Sequence, residues 1–193
     1  MALNTRERLL DVARQLFAKK GVENTTMNDI AEVSGKGRRT IYTYFRNKRE
    51  IFNALVHEES EKMMQQLTDL LTLDADPEEK LKRFIFIRFE AVKETVSRNG
   101  SLRALFFRDV RKVEHARRLT TAREAAILKQ ILADGVAKGV FRIERLDQTV
   151  MVLLLALQGL DVPYIRDNFA ELGIDKLSLR DNIMNFILHG IKR

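Results

Sequence analysis

Only two prolines, Pro77 and Pro163, interrupt a chain of 193 residues, and its nine glycines fall mostly where apolar periodicity stops. Helices therefore run long between few breaks. Asn4 or Thr5 caps a first helix whose Leu9, Leu10, Ala13, Leu16 and Phe17 recur at three and four, ending near Gly21. Thr26, with Asp29 three residues later, starts a second that carries Ile30, Ala31 and Val33 and cannot pass Gly35. A short segment from Arg38 to Phe45 follows, and Asn47 with Glu50 opens a long helix toward Leu71. Asp76-Pro77-Glu78-Glu79 joins an N-cap, a first-turn proline and acidic residues that complement the helix dipole. The helix it starts, through Leu81, Phe84, Ile85, Phe86, Ile87, Phe89 and Val92, is apolar nearly all round, as in a central buried helix, and Asn99-Gly100 ends it. Further helices are expected from Ser101 to Lys112, His115 to Lys138, Asp147 to Tyr164 and Ser178 to Ile191. The spacing predicts an all-α chain of about nine helices, with no internal repeat or Pro/Ser-rich linker.

Charge divides the chain unevenly. Residues 1–50 hold 11 Lys/Arg and 6 Asp/Glu, while the other 143 residues hold 23 and 21. A basic segment on a near-neutral body suits an anionic partner, because counterions released from a polyanion reward contact. A solvated basic face is the alternative. With 45% hydrophobic and 32% charged residues the composition is that of a globular protein. The longest unbroken apolar run, Val150 to Leu157, has eight residues where a bilayer span needs about 20, so no membrane partner is expected. Cysteine is absent, which excludes disulfides, zinc–thiolate sites and thiol nucleophiles and fits a reducing cytoplasm. Met1 to Arg8 is polar and has no apolar signal region, so secretion is not expected.

The segment from Thr26 to Phe45, TMNDIAEVSGKGRRTIYTYF, has the layout of a helix-turn-helix. Ile30 and Ala31 are placed to pack on Ile41 and the first helix, Ala31 being small enough for close crossing. Arg38, Arg39, Thr40, Tyr42, Thr43 and Tyr44 supply donors and aromatic surface beside a basic turn. A recognition helix puts its N-terminal residues on base edges while hydroxyls and lysines hold phosphates. At FAKKG (Phe17 to Gly21), TTMNDIAEVSG, TIYTYF, Lys48 and Ile51, the sequence resembles the TetR family of bacterial transcriptional repressors, over about residues 5 to 55. The resemblance implies an N-terminal three-helix DNA-binding domain over 1–47 and a helical ligand-binding and dimerisation domain over 48–193. It implies that Thr26 is a phosphate-contacting N-cap, that Arg38 and Thr40 read bases or phosphates, and that Tyr42 and Tyr44 clamp the backbone. Lys48 is then a phosphate ligand, with Lys36, Gly37, Arg39 and Thr43 at the same surface, and Phe45 is better read as core. Two departures stand out: Lys36-Gly37 replaces the usual Val-Ser, and Arg39 stands where the pattern usually has Gly.

In the resemblance the last two helices pair with a second copy, and the body takes a small molecule. GVFRIERLDQ (Gly139 to Gln148) looks like the family's entry into its dimer-forming helices. Val150, Leu153, Leu154, Leu157, Leu160 and Tyr164 on one helix, and Ile183, Phe186, Ile187 and Gly190 on the other, offer more apolar face than a peripheral helix needs. A two-fold homodimer would match a palindromic duplex. Phe84, Ile87, Arg88, Phe106 and Phe107 are candidates to line a cavity for an apolar or amphipathic effector, Arg88 orienting an anionic or polar group, although such a stripe also reads as plain core. A buried cation at Arg88 requires a partner in either case. No GxSxG, HExxH or GxxxxGK[ST] pattern occurs, and His57 with Glu61 is a lone pair, so neither an enzyme nor a metal or cofactor site is expected. The expected function is a homodimeric repressor released by a ligand. The alternative is a DNA-bound interaction protein of the same fold, regulated by a protein partner.

Overall fold

Local caps set where the helices begin. In the structure, a computed structural model that describes residues 4–98, 110–166, 168–171 and 173–191, Asn4 starts α1 (Thr5–Lys20) with a reciprocal box. Its side chain accepts from the Glu7 N–H at 2.9 Å, and the Glu7 carboxylate accepts from the Asn4 N–H at 3.0 Å. Thr26 and Asp29 repeat the device for α2 (Met27–Val33), at 3.1 and 2.7 Å. Gly35, at φ +66°, then ends α2: its N–H donates to the Glu32 carbonyl and that of Lys36 to Ala31, an arrangement that needs a left-handed residue at this point. α3 (Arg38–Tyr44) starts at Gly37 with no side-chain cap. Asn47 and Asp76 cap α4 (Lys48–Thr72) and α5 (Pro77–Arg98).

Beyond these lie α6 (Val110–Ala137), α7 (Leu146–Arg166), α8 (Asn168–Glu171) and α9 (Lys176–Ile191), so the described residues hold nine helices and no strand. α6 is continuous through 112–115, where the sequence suggested a break, because no glycine or proline lies between Val110 and Asp134 to stop it. The four-residue α8 was not expected. The helix expected from Ser101 falls mostly outside the described residues, as do Phe106 and Phe107. Pro163 lies within α7 near its end and does not stop it.

The chain forms two compact units, Met1–Glu61 with Glu94–Val110, and Lys62–Lys93 with Arg111–Arg193. The division falls inside α4 because Ile51 and Leu55, past its first turn, pack with Leu9, Leu10, Ala13, Phe17, Ile30, Ile41 and Phe45. Arg14 also ties α1 to α4 through Glu58 at 3.1 Å. The second unit has its own core, built from Met64 and Leu67 of α4, Phe84, Ile85 and Phe89 of α5, Leu128 and Ile131 of α6, and Leu154 and Leu157 of α7. By length and composition α7 would be able to cross a membrane. Here Leu154 and Leu157 are buried in that core, and its Asp161 is held by Arg88, which is how a helix of a packed unit is built.

Candidate nucleic-acid interface

α3 is anchored by two residues and presents the rest. Ile41 and Phe45 are buried with Ile30 and Ala31 of α2, as the apolar spacing predicts. On the opposite side Arg38, Arg39, Tyr42, Thr43 and Tyr44 are exposed, Thr40 and Lys36 are half-buried, and Gly37 is exposed in the turn. The Arg38 guanidinium carbon lies 5.8 Å from the centre of the Tyr42 ring. The Thr43 hydroxyl donates to the Arg39 carbonyl at 3.1 Å. A Cβ built on Gly37 meets nothing within 4 Å, so glycine here is an open approach rather than a packing need.

Thr26 is exposed at the start of α2, and its side-chain oxygen accepts from the Asp29 N–H. The hydrogen bond from Lys20, at 2.8 Å, followed by those from the Thr26 N–H and hydroxyl, holds the Asp29 carboxyl at about 2, below its ordinary 3.8. A depressed folded value means that the box contributes fully above about pH 4 and loses its contribution as pH falls toward 2.

Lys48 does something other than the resemblance implied. Its ammonium donates to the carbonyls of Val22, Glu23 and Thr25 at 2.8, 2.8 and 3.3 Å, which occupies all three of its donors inside the protein. It fixes the loop that delivers Thr26, and the neighbouring Thr25, fully buried, ties the same loop by donating to the Gly21 carbonyl. Lys48→Met is expected to lower stability by about 1 to 2 kcal/mol with no DNA present, since three carbonyls lose a charged donor. Thermal melting of the free protein checks this, and an unchanged melt would return Lys48 to a purely external role.

In the second unit Arg88 is 2% exposed and fully engaged. Its Nε donates to Glu124 at 2.8 Å, and its two terminal nitrogens donate to both oxygens of Asp161 at 2.7 and 2.9 Å. Burial opposes the guanidinium's charge, but the hydrogen bonds and charges of Asp161 and Glu124 outweigh it and raise its pKa. Arg88 therefore joins α5, α6 and α7 and is not the orienting group for an anionic ligand: an anion approaching it would meet two carboxylates. The next two residues of α5 also hold α7, Phe89 stacking on Tyr164 at 4.8 Å and Glu90 accepting from the Tyr164 hydroxyl. Phe84 is fully buried core and Ile87 is half-buried against it.

The expected pairing face is placed differently as well. Leu157, Tyr164 and Ile187 belong to the unit's own core, and Leu153, Leu160 and Ile183 are half-buried on it. Phe186, 85% exposed, and Gly190 remain outside, joined by Met151, Val152 and Leu155, the latter two 68% and 57% exposed. Sequence reading missed these three because the unbroken run Val150 to Leu157 is apolar on both faces. Asp161 and Glu124 were also missed, lying 73 and 36 residues from Arg88. The signal was Arg88 itself, a cation on an apolar helix. His57 and Glu61 are exposed and 3.9 Å apart, and no group of three or more potential metal ligands occurs among the described residues.

A capped helix, a glycine turn and a basic second helix beside a separate helical unit define a helix-turn-helix protein with an all-helical body. Residues 9–55 match the family model described as bacterial regulatory proteins, tetR family. Over this region the chain is similar to that family. It is 30% identical over 107 residues to the "Probable acrEF/envCD operon repressor" of Escherichia coli (strain K12), covering 54% of this chain and 48% of that protein. The chain thus matches about half the length of this curated relative. Two solved structures share the fold over nearly the whole chain. One is a putative transcriptional regulator from Saccharomonospora viridis in complex with choline, at 22% identity and TM-score 0.73, covering 97% of both chains. The other is the transcriptional regulator FadR from Bacillus subtilis in complex with stearoyl-CoA, at 20% identity and TM-score 0.69, covering 95% of this chain and 98% of that one. These relatives are named as a repressor and as transcriptional regulators.

Proposed function

We propose that the protein is a homodimeric transcriptional repressor that binds a palindromic duplex through α2 and α3 and is released by a small molecule held in its helical body. The observation that carries the DNA reading is α3 itself, with Ile41 and Phe45 locked in the core and Arg38, Arg39, Tyr42 and Tyr44 exposed on one short helix. Donors and rings concentrated on a rigidly seated surface are what phosphate and base contacts require. The exposed Met151, Val152, Leu155 and Phe186 support pairing with a second copy. Gly159 and Gly190, where an added Cβ would meet nothing within 4 Å, leave room for helices to approach closely. A two-fold dimer presents two copies of α3 to two half-sites. The complex of one structural neighbour with stearoyl-CoA supports an amphipathic effector, and that of the other with choline supports a small-molecule site in a body of this fold. Such a ligand releases DNA by favouring a dimer conformation that does not fit the duplex.

Selection of bound duplexes from a random pool by the purified protein, at two salt concentrations, tests this reading. An enriched palindrome is the expected result, with affinity falling as salt rises. Binding without a consensus, fading with salt, would leave only a basic surface.

A further inference from the structure

We propose that Arg38 is the residue of α3 that reads a base edge, that Tyr42 positions it, and that Arg39 serves as a backbone cation. The proposal rests on the DNA-binding reading above and assigns different tasks to two adjacent, chemically identical side chains. Both are exposed at the start of α3, and consecutive helical residues point about 100° apart. Their neighbours one turn on therefore decide how each is held. For Arg38 that neighbour is Tyr42, whose ring centre lies 5.8 Å from the guanidinium carbon. For Arg39 it is Thr43, whose hydroxyl is turned back onto the Arg39 carbonyl. The Arg39 guanidinium has no hydrogen bond, ion pair or ring contact among the described residues.

Ring contact and base reading make different demands on a guanidinium. The ring attracts the charge of the guanidinium and takes no N–H donor in a hydrogen bond, so the paired N–H groups that fit guanine O6 and N7 stay uncommitted. Arg38 thus meets the duplex with fewer rotamers to surrender and with those donors uncommitted. Arg39 has the charge and reach for a phosphate but nothing that fixes its plane, and phosphate attraction tolerates that freedom.

The test compares the full-length protein with Arg38→Lys, Tyr42→Leu, Tyr42→Phe and Arg39→Gln. Each is titrated against the duplex selected from the random pool and its single-position variants, at two salt concentrations. Arg38→Lys is expected to reduce the preference at one base pair of the half-site about 5- to 150-fold. Tyr42→Leu reduces it at the same pair about 2- to 5-fold. Tyr42→Phe, which keeps the ring and loses the hydroxyl, retains the preference whatever it does to overall affinity. Arg39→Gln weakens all duplexes alike and lowers the salt dependence. Uniform loss in Tyr42→Leu with the preference intact would reduce Tyr42 to a phosphate contact, and loss of preference in Arg39→Gln alone would reverse the assignment. Either outcome overturns the proposal while leaving the DNA reading in place. A wild-type protein that prefers no duplex would remove both.

Discussion

Arg88→Met is expected to destabilise the helical body by about 3 to 5 kcal/mol, read as a lower midpoint in urea unfolding. Arg88, Glu124 and Asp161 are 2%, 4% and 1% exposed, and the guanidinium supplies three hydrogen bonds to the two carboxylates. Methionine fills much of the same volume but takes away that cation, so the cost comes from charge deprived of its counterion and not from lost packing. The pH dependence should reveal this. A buried carboxylate that loses the guanidinium acquires a raised pKa, and a group with a raised folded value contributes stability at low pH that is lost as pH rises. The deficit should therefore be larger near about pH 8 than near about pH 5. Combining Arg88→Met with Glu124→Gln and Asp161→Leu should recover most of the loss, since apolar or neutral replacements of a buried ion cluster are often tolerated. A pH-independent deficit that the combined variant does not relieve would mean that packing, not charge, is what Arg88 provides.

Gly135→Ala is expected to destabilise by about 1 to 3 kcal/mol, against the sign that helix propensity alone would give. An exposed helical glycine gains up to about 1 kcal/mol on becoming alanine. At Gly135 the new Cβ would lie 2.1 and 2.4 Å from two carbons of the buried Phe141 ring. The ring is there because α6 ends in a tight reversal at Gly139, φ +71°, where Val140 and Phe141 both donate to the Gly135 carbonyl at 2.9 and 3.1 Å. The next residue, Arg142, donates to the Ile191 carbonyl at 2.7 Å, so the ring cannot withdraw without disturbing that contact. Thermal unfolding of Gly135→Ala, of Phe141→Leu and of the two combined separates the effects, because the smaller side chain at 141 gives the new Cβ room and the combined variant then loses less than the sum of the two. A Gly135→Ala protein as stable as the wild type would show that Phe141 moves aside at little cost.

The N-terminal unit was largely legible because its information is local. Asn4 with Glu7, Thr26 with Asp29, and Gly35 act over a few residues of chain, and each cap appears where the spacing places it. The exposed face of α3 follows from Ile41 and Phe45 turning inward at four-residue spacing. Lys48 was not legible: a lysine at the start of a helix suits a phosphate as well as three carbonyls, and only the returning loop at Val22 to Thr25 decides between them.

The helical body shows the same division at longer range. Periodicity and a near absence of proline determined that the chain is all-α, where most of its helices start, and that its basic excess lies in the first quarter, since each depends on neighbours along the chain. Which carboxylates meet Arg88, which ring covers Gly135, and which side of the apolar run Val150 to Leu157 in α7 stays outside were decided only by tertiary structure. The reason is physical: a helical run that is apolar on every face carries no directional signal, and its orientation is set by whichever distant surface excludes water from it most completely.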